Sequence, residues 1–107
     1  MQRIGMVIRV KPEKLEEYKR LHADPWPGVL ETLRRVGVRN YSIFHHAGLL
    51  FGYLEFHGES WEEAQKQIAA DPLTQEWWKL TDPCQEPLPT RQEEEWWARM
   101  EQVFLME

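Results

Sequence analysis

A lone cysteine, Cys84, among 107 residues excludes an intrachain disulfide and any metal site built from several thiolates, so nothing calls for an oxidising compartment. Basic residues are in the minority, thirteen against eighteen acidic ones for a net charge of -5. A chain with no positive excess has little with which to gather phosphates, so nucleic acid and anionic membranes are not the expected partners. That leaves neutral ligands and proteins. No apolar run approaches the roughly 20 residues that span a bilayer. The opening Met1–Val10 is apolar enough to resemble a signal segment, but Arg9, Lys11 and Glu13 cut it short and a strand is the simpler reading. A Gly-rich phosphate loop, a His-Glu-x-x-His pair, a calcium loop and a nucleophile elbow are all absent. The expectation is a soluble cytoplasmic protein, with no spacing that recommends a metal or cofactor site.

There is also no repeat, linker or biased tract, which points to one domain over residues 1–107 with a C-terminal loop and arm from about residue 81. A domain of this size buries only about two thirds of its unfolded surface, so association with a second copy would help it. What the chain has in excess is rings. Six tryptophans and three tyrosines must fill a core, seal an interface or line a pocket for a ligand with flat apolar faces.

Alternation of apolar side chains from Ile4 to Val10 predicts a first strand. Pro12, followed by Glu13, Glu16 and Glu17, opens a helix whose inward stripe is Leu15, Tyr18 and His22, with Leu21 beside it. Asp24-Pro25-Trp26-Pro27-Gly28 breaks that helix, and a second segment runs through Val29, Leu30, Leu33 and Val36 to Gly37. Arg39–His46 and Leu49–Phe56 read as a hairpin around Ala47-Gly48, with Tyr41, Ile43 and His45 on one face of its first strand. Both faces of this hairpin are partly apolar, which suits helices on one side and a partner or ligand on the other. Ser60 and Glu63 form a capping-box signature, and Asp71-Pro72 restarts a helix carrying Leu73, Trp77, Trp78 and Leu80. The proline-rich stretch from Thr81 to Thr90 reads as a loop, Glu93–Trp97 as a turn or extended arm, and Met100–Met106 as a closing strand. The order strand, helix, strand, strand, helix, strand is that of an α+β, ferredoxin-like split βαβ fold with an antiparallel sheet. Two such sheets packed face to face into a dimeric α/β barrel would cover the side the helices leave open.

Among candidate chemical groups, His22 stands out. An imidazole can give and take a proton near neutrality, and Tyr18 one helical turn earlier places a phenol beside it. The plainer reading is a satisfied core or interface histidine. Tyr41 is either a second polar aromatic for a ligand or a cross-strand packing residue. Trp77 and Trp78 cannot both face the core from a regular helix, so one should reach a ligand or a partner, and sugar rings offer C–H faces suited to such platforms. Trp96 and Trp97, approached by acids and prolines, read as an arm that embraces a partner. His45 and His46 alternate across a strand and read as solvated turn residues.

The ordered set Tyr18-x-x-x-His22, Trp26-Pro27, Asn40-Tyr41-Ser42-Ile43 and Gln75-x-Trp77-Trp78 resembles the L-rhamnose mutarotase family. Gly37, Thr81-Asp82 and the closing Glu101-Gln102-Val103-Phe104-Leu105 extend the resemblance over almost the whole chain. It implies a cytoplasmic homodimer of ferredoxin-like subunits that interconverts the α and β anomers of L-rhamnose without metal, redox step or organic cofactor. It further implies that His22 donates a proton, that Tyr18 and Tyr41 bind substrate, and that Trp77 and Trp78 contact the sugar. Two other classes stay open at this point: a small monooxygenase-type enzyme on the same scaffold, and a non-catalytic monosaccharide-binding module.

Overall fold

Ile4, Ile8 and Val10 are buried on one side of β1 (Gln2–Val10), the central strand in a computed structural model that describes Met1–Glu107. A 3-10 turn at Pro12–Lys14 leads into α1 (Leu15–Ala23), where Tyr18 is the buried residue. Pro25 and Pro27 cannot continue a hydrogen-bonded ladder, so the chain bends there and α2 starts at Pro27 and runs to Val36. Gly37 closes α2 at φ 111°, its N–H reaching the Leu33 and Arg34 carbonyls, a conformation that costs other residues a clash at Cβ. β2 (Val38–His46) and β3 (Leu49–Phe56) are joined by Ala47 and Gly48, both at positive φ, the pairing that matches the twist of a tight hairpin.

The second crossover is likewise a pair of helices. Ser60 Oγ accepts the Glu63 N–H at 3.2 Å to cap α3 (Trp61–Ala70), and Asp71 caps α4 (Pro72–Thr81). After a 3-10 turn at Asp82–Cys84 come two short strands, β4 (Gln85–Glu86) and β5 (Ala98–Met100). The sheet runs β2-β3-β1-β4, with β5 also on β1, and every pairing is antiparallel. This is the ferredoxin-like α+β arrangement expected from the element order, each helix doubled at a proline. No helix is long and apolar enough to cross a membrane.

Two apolar clusters hold the helices to one face of the sheet. The first joins Ile4, Val38, Leu54 and Phe56 to Ala64 and Ile68 of α3, with Leu33, Val36 and Trp61 against it. The second joins Ile8, Val10 and Leu50 to Tyr18 and Cys84. The closing strand departs from expectation. It spans Ala98–Met100 rather than Met100–Met106, paired with β1 at Gly5–Val7, and the chain leaves the sheet after Met100 although β1 continues back to Gln2. The apolar residues Val103, Phe104, Leu105 and Met106 lie beyond that pairing and are exposed. Glu93–Trp97 forms a bent arm, its turn held by the Gln92 N–H on Glu95 Oε1 at 3.0 Å.

Asp71 ties the helix layer together. Its Oδ2 accepts the Thr74 N–H at 3.0 Å and the Thr74 hydroxyl at 2.7 Å, and lies 3.1 Å from the Thr32 hydroxyl of α2. These bonds, Thr74's hydroxyl first, hold the Asp71 carboxyl below its ordinary value. A depressed folded-state pKa gives stability that is complete above the unfolded value of about 3.9 and is lost as pH falls through the folded value. Asp71→Ala is therefore expected to lower Tm at pH 7, with the gap to wild type closing between about pH 4 and pH 2. A Tm gap that stays constant across that range would show that the charge is not what stabilises the cap.

Candidate active site

The i,i+4 spacing of Tyr18 and His22 lays their rings against each other, centroids 4.2 Å apart and planes 29° apart. His22 Nδ1 lies 2.9 Å from the Tyr18 backbone carbonyl. A carbonyl only accepts, so Nδ1 carries the hydrogen and Nε2 presents its lone pair on the other side of the ring. The imidazole then meets Trp77 edge-on at 5.5 Å, and Trp77 meets Trp26 at 5.3 Å. Trp26 is held between Pro25 and Pro27 in the break between α1 and α2, so helix termination also delivers a ring to the site. On α4 the buried positions are Thr74, Trp77 and Thr81. That phase turns Trp78 outward, 37 % exposed and in no ring pair with the others.

The sheet contributes the floor. Met6, Gly52 and Ile43 stand side by side across β1, β3 and β2 on the face that carries the helices. This row lies between the two core clusters. A Cβ on Gly52 would sit 3.1 Å from Met6 Cγ and Cε and 3.4 Å from Trp97 Cζ3, so the missing side chain makes room for both. Met6, Ile43 and Trp97 remain partly open to solvent although they face the helix layer, as does His22 opposite, which defines a cleft between the layers.

Tyr41 reaches this face through a β-bulge. Arg39 pairs with Glu55 and Ser42 with Tyr53, so two residues, Asn40 and Tyr41, stand opposite Leu54 alone. Asn40 adopts φ 50°, a conformation asparagine tolerates better than most residues, and its side-chain N–H bonds Glu55 Oε1 at 2.8 Å. Without the extra residue Tyr41 would share a face with Arg39. With it, Val38, Tyr41, Ile43 and His45 all point to the helix side. Tyr41 is 38 % exposed overall, yet desolvation pushes its phenol up to about 12. Burial also raises the Tyr18 phenol, with a smaller contribution from nearby Tyr41. Burial moves His22 the other way, below 6.5, only partly opposed by its bond to the Tyr18 carbonyl.

Sequence reasoning passed over two members of this cluster. Gln85, 6 % exposed on β4, donates from Nε2 to the Tyr18 oxygen at 3.2 Å, and Trp96 Nε1–H donates to Gln85 Oε1 at 2.8 Å. The arm thus folds onto its own subunit, with Trp97 packed beside the Tyr18 cluster. His45 accepts the Gly48 N–H at 3.2 Å and serves the hairpin turn. No group of three or more His, Cys, Asp or Glu side chains is placed to hold a metal ion. Two surface clefts lie elsewhere, one beside Arg9, Lys11 and Glu86 and one beside Ser60 and Glu63, and neither contains a ring of the cluster.

Residues 3–106 match the family described as L-rhamnose mutarotase. The L-rhamnose mutarotase of Bacillus subtilis is 39% identical over 85 residues, covering 78% of this chain and 79% of that protein. That of Oceanobacillus iheyensis is 36% identical over 85 residues with the same coverage of 78% and 79%. The chain belongs to the L-rhamnose mutarotase family. Among solved structures, an L-rhamnose mutarotase from Formosa agariphila superposes with TM-score 0.78 over 100% of both chains at 22% identity. Tetracenomycin F2 cyclase from Streptomyces glaucescens, a type-II polyketide cyclase, superposes with TM-score 0.77 over 100% of this chain and 98% of its own at 22% identity. At such identity the likeness is one of fold, and the second neighbour carries different chemistry on it. The site must therefore be read from its residues. In this member of the mutarotase family they are a neutral base with one free nitrogen, two phenols in their O–H forms and a wall of indoles.

The bulge is the most sensitive element of this geometry. Asn40→Gly is expected to keep it, since glycine takes positive φ freely, whereas Asn40→Val costs about 1–2 kcal/mol for the left-handed conformation. In urea unfolding the valine variant should be the less stable by that margin, with a larger drop in kcat/KM as Tyr41 loses its aim. Equal midpoints for the two variants would refute the backbone argument.

Proposed function

We propose that the protein interconverts the α and β anomers of L-rhamnose by acid–base-assisted opening and reclosure of the pyranose ring. The observation that carries this is His22, whose Nδ1–H is committed to the Tyr18 carbonyl while Nε2 is left free between a phenol and an indole. Trp77 is buried behind the imidazole and gives it an apolar wall, while the more exposed Trp78 is the ring of the pair open to sugar C–H groups. The phenols of Tyr18 and Tyr41 supply the directional hydrogen bonds that sugar hydroxyls require.

In this mechanism neutral His22 takes the proton of the anomeric hydroxyl at Nε2. The C1–O electron pair forms the aldehyde, the bond from C1 to the ring oxygen breaks, and the imidazolium returns the proton to that oxygen, which sits on the same carbon. Aldehyde, hydroxyl and neutral imidazole result, so the transfer balances. Rotation about C1–C2 presents the other carbonyl face, and reclosure runs the same steps backwards. The phenols, whose pKa values are raised, stay protonated and hydrogen-bond the oxygen on which charge develops. Proton transfers and the breaking and remaking of one C–O bond, with no net redox change, make up the whole reaction, so the reading requires no cofactor.

We read the assembly as a homodimer. On the face without helices, Val7, Phe51 and Phe44 stand in register across three strands, with Phe44 largely exposed. A second copy of the same face would bury this apolar row, and the exposed Val103–Met106 segment adds to the surface available. Phe44→Glu is expected to shift sedimentation from dimer toward monomer at micromolar concentration. A monomeric wild type would remove the dimer from the reading and leave the chemistry untouched. A single buried cysteine and the absence of a disulfide suit the reducing cytoplasm.

Anomeric magnetisation exchange by proton NMR in L-rhamnose tests the reaction. His22→Ala is expected to slow the catalysed exchange by about 10²- to 10⁴-fold while keeping the fold. Because the base form is required and its pKa lies below 6.5, kcat/KM should hold steady from pH 8 down to about 6.5 and fall at more acid pH. Full activity of the alanine variant, or a kcat/KM that rises toward acid pH, would overturn the role of His22.

A further inference from the structure

The bond from Gln85 to Tyr18 has a direction that Trp96 dictates. An indole N–H can only donate. Trp96 Nε1 lies 2.8 Å from one end of the Gln85 amide, and with the amide turned over two N–H donors would face each other at that distance. The oxygen of Gln85 therefore faces Trp96, and its NH₂ faces Tyr18 at 3.2 Å. The Tyr18 oxygen is thus an acceptor on this side. Its single hydrogen must point elsewhere, and a second polar group near enough to act on this buried phenol is Tyr41, on the His22 side of the sheet.

We infer that Gln85 and Trp96 are positioning residues that fix the direction of the Tyr18 O–H, making Tyr18 a hydrogen-bond donor to the sugar. The inference rests on the mutarotase reading for its substrate. It also gives the arm a role, since the acid-rich segment before Trp96 holds a donor-only group at the end of a three-member chain that finishes in the site. Gln85 sits at 6 % exposure with both ends of its amide engaged, so water does not compete for either end.

Gln85→Glu separates this from a packing role. An ionised carboxylate accepts from both neighbours, so Trp96 keeps its bond, and Tyr18 turns its hydrogen away from the cleft to donate to the new group. Packing is conserved and polarity is reversed. When that carboxyl is protonated its O–H can donate to Tyr18 again and the original direction returns. At pH 8 the variant is expected to lose on the order of 10- to 100-fold in kcat/KM. The ratio of variant to wild-type kcat/KM should then climb toward one as acid pH protonates the carboxyl, recovering at most the factor lost at pH 8, the ratio cancelling the titration of His22 itself. Trp96→Phe frees the amide to turn and is expected to cost about threefold to tenfold, independent of pH. An active Gln85→Glu variant at pH 8, or a loss whose ratio to wild type does not move with pH, overturns the inference. Should Gln85→Glu fail to fold, full activity of Trp96→Phe does the same.

A readout without turnover separates this from failure of the mutarotase reading. In wild type the Gln85 side-chain N–H donated to Tyr18 should exchange slowly with solvent and shift on Tyr18→Phe in ¹H–¹⁵N spectra. If the wild type does not accelerate anomer exchange, the mutarotase reading falls while this shift still decides the direction of the bond. Amide resonances indifferent to Tyr18→Phe overturn the positioning role even in an active enzyme.

Discussion

Gly52, at the centre of the inner sheet face, divides the core. On either side of it in β3, Leu50 and Leu54 are almost completely buried, each in its own apolar cluster, and the clusters are separated by the row Met6, Gly52 and Ile43. The room that glycine leaves is filled by Met6 and Trp97, and with Ile43 these stay partly open to solvent between the clusters. The elements around this row are held by specific contacts. Prolines bracket Trp26, Asp71 bolts α4 to α2, and the arm is anchored through Trp96 and Gln85. Those anchors fix where the rings around the row stand.

Desolvation in the cleft acts on three titratable groups and favours the uncharged form of each. It lowers the pKa of His22 and raises those of Tyr18 and Tyr41, so near neutral pH the site contains an imidazole and two phenols and no formal charge. A neutral polyhydroxylated ligand matches such a place, because it needs directional donors and acceptors rather than a counter-ion. The net charge of -5 resides in acids and bases on the surface, where ion pairs such as Lys79 with Glu76 are solvated and contribute little. The chemistry is thus insulated from the charge balance of the chain.

How much of this is legible in the sequence depends on the range of the interaction. Caps, proline breaks, the hairpin turn and the Tyr18–His22 pair are all set by residues within four positions of each other, and the structure places them where the spacing predicts. The bulge is half legible: Asn40 is a residue that tolerates positive φ, yet nothing in period-two alternation announces an extra residue after Arg39. Gln85 and its partners are not legible at all. Tyr18 is 67 positions away and Trp96 is 11, and a lone amide in a proline-rich stretch carries no periodic signal. The C-terminal segment misleads for a related reason. Apolar residues from Val103 to Met106 look like a strand, but a strand exists only where the chain pairs with an edge, and here it pairs over Ala98–Met100 and then leaves the sheet.

The two tryptophan doublets show one sequence feature resolved by two backbones. On α4, where successive residues turn by about 100°, Trp77 is buried in the ring cluster and Trp78 is partly exposed. In the bent arm before β5, Trp97 packs over Gly52 while Trp96 remains 39 % exposed and commits its N–H to Gln85. Each doublet therefore gives the interior one packed ring and leaves the other partly exposed. The packed rings arrive from different layers, Trp77 with the helices and Trp97 with the segment that leads into β5. Around them the polar groups are few, His22, Tyr18 and Tyr41, so on the mutarotase reading a sugar has one direction in which to make its hydrogen bonds. That restriction gives a small core a site with an orientation.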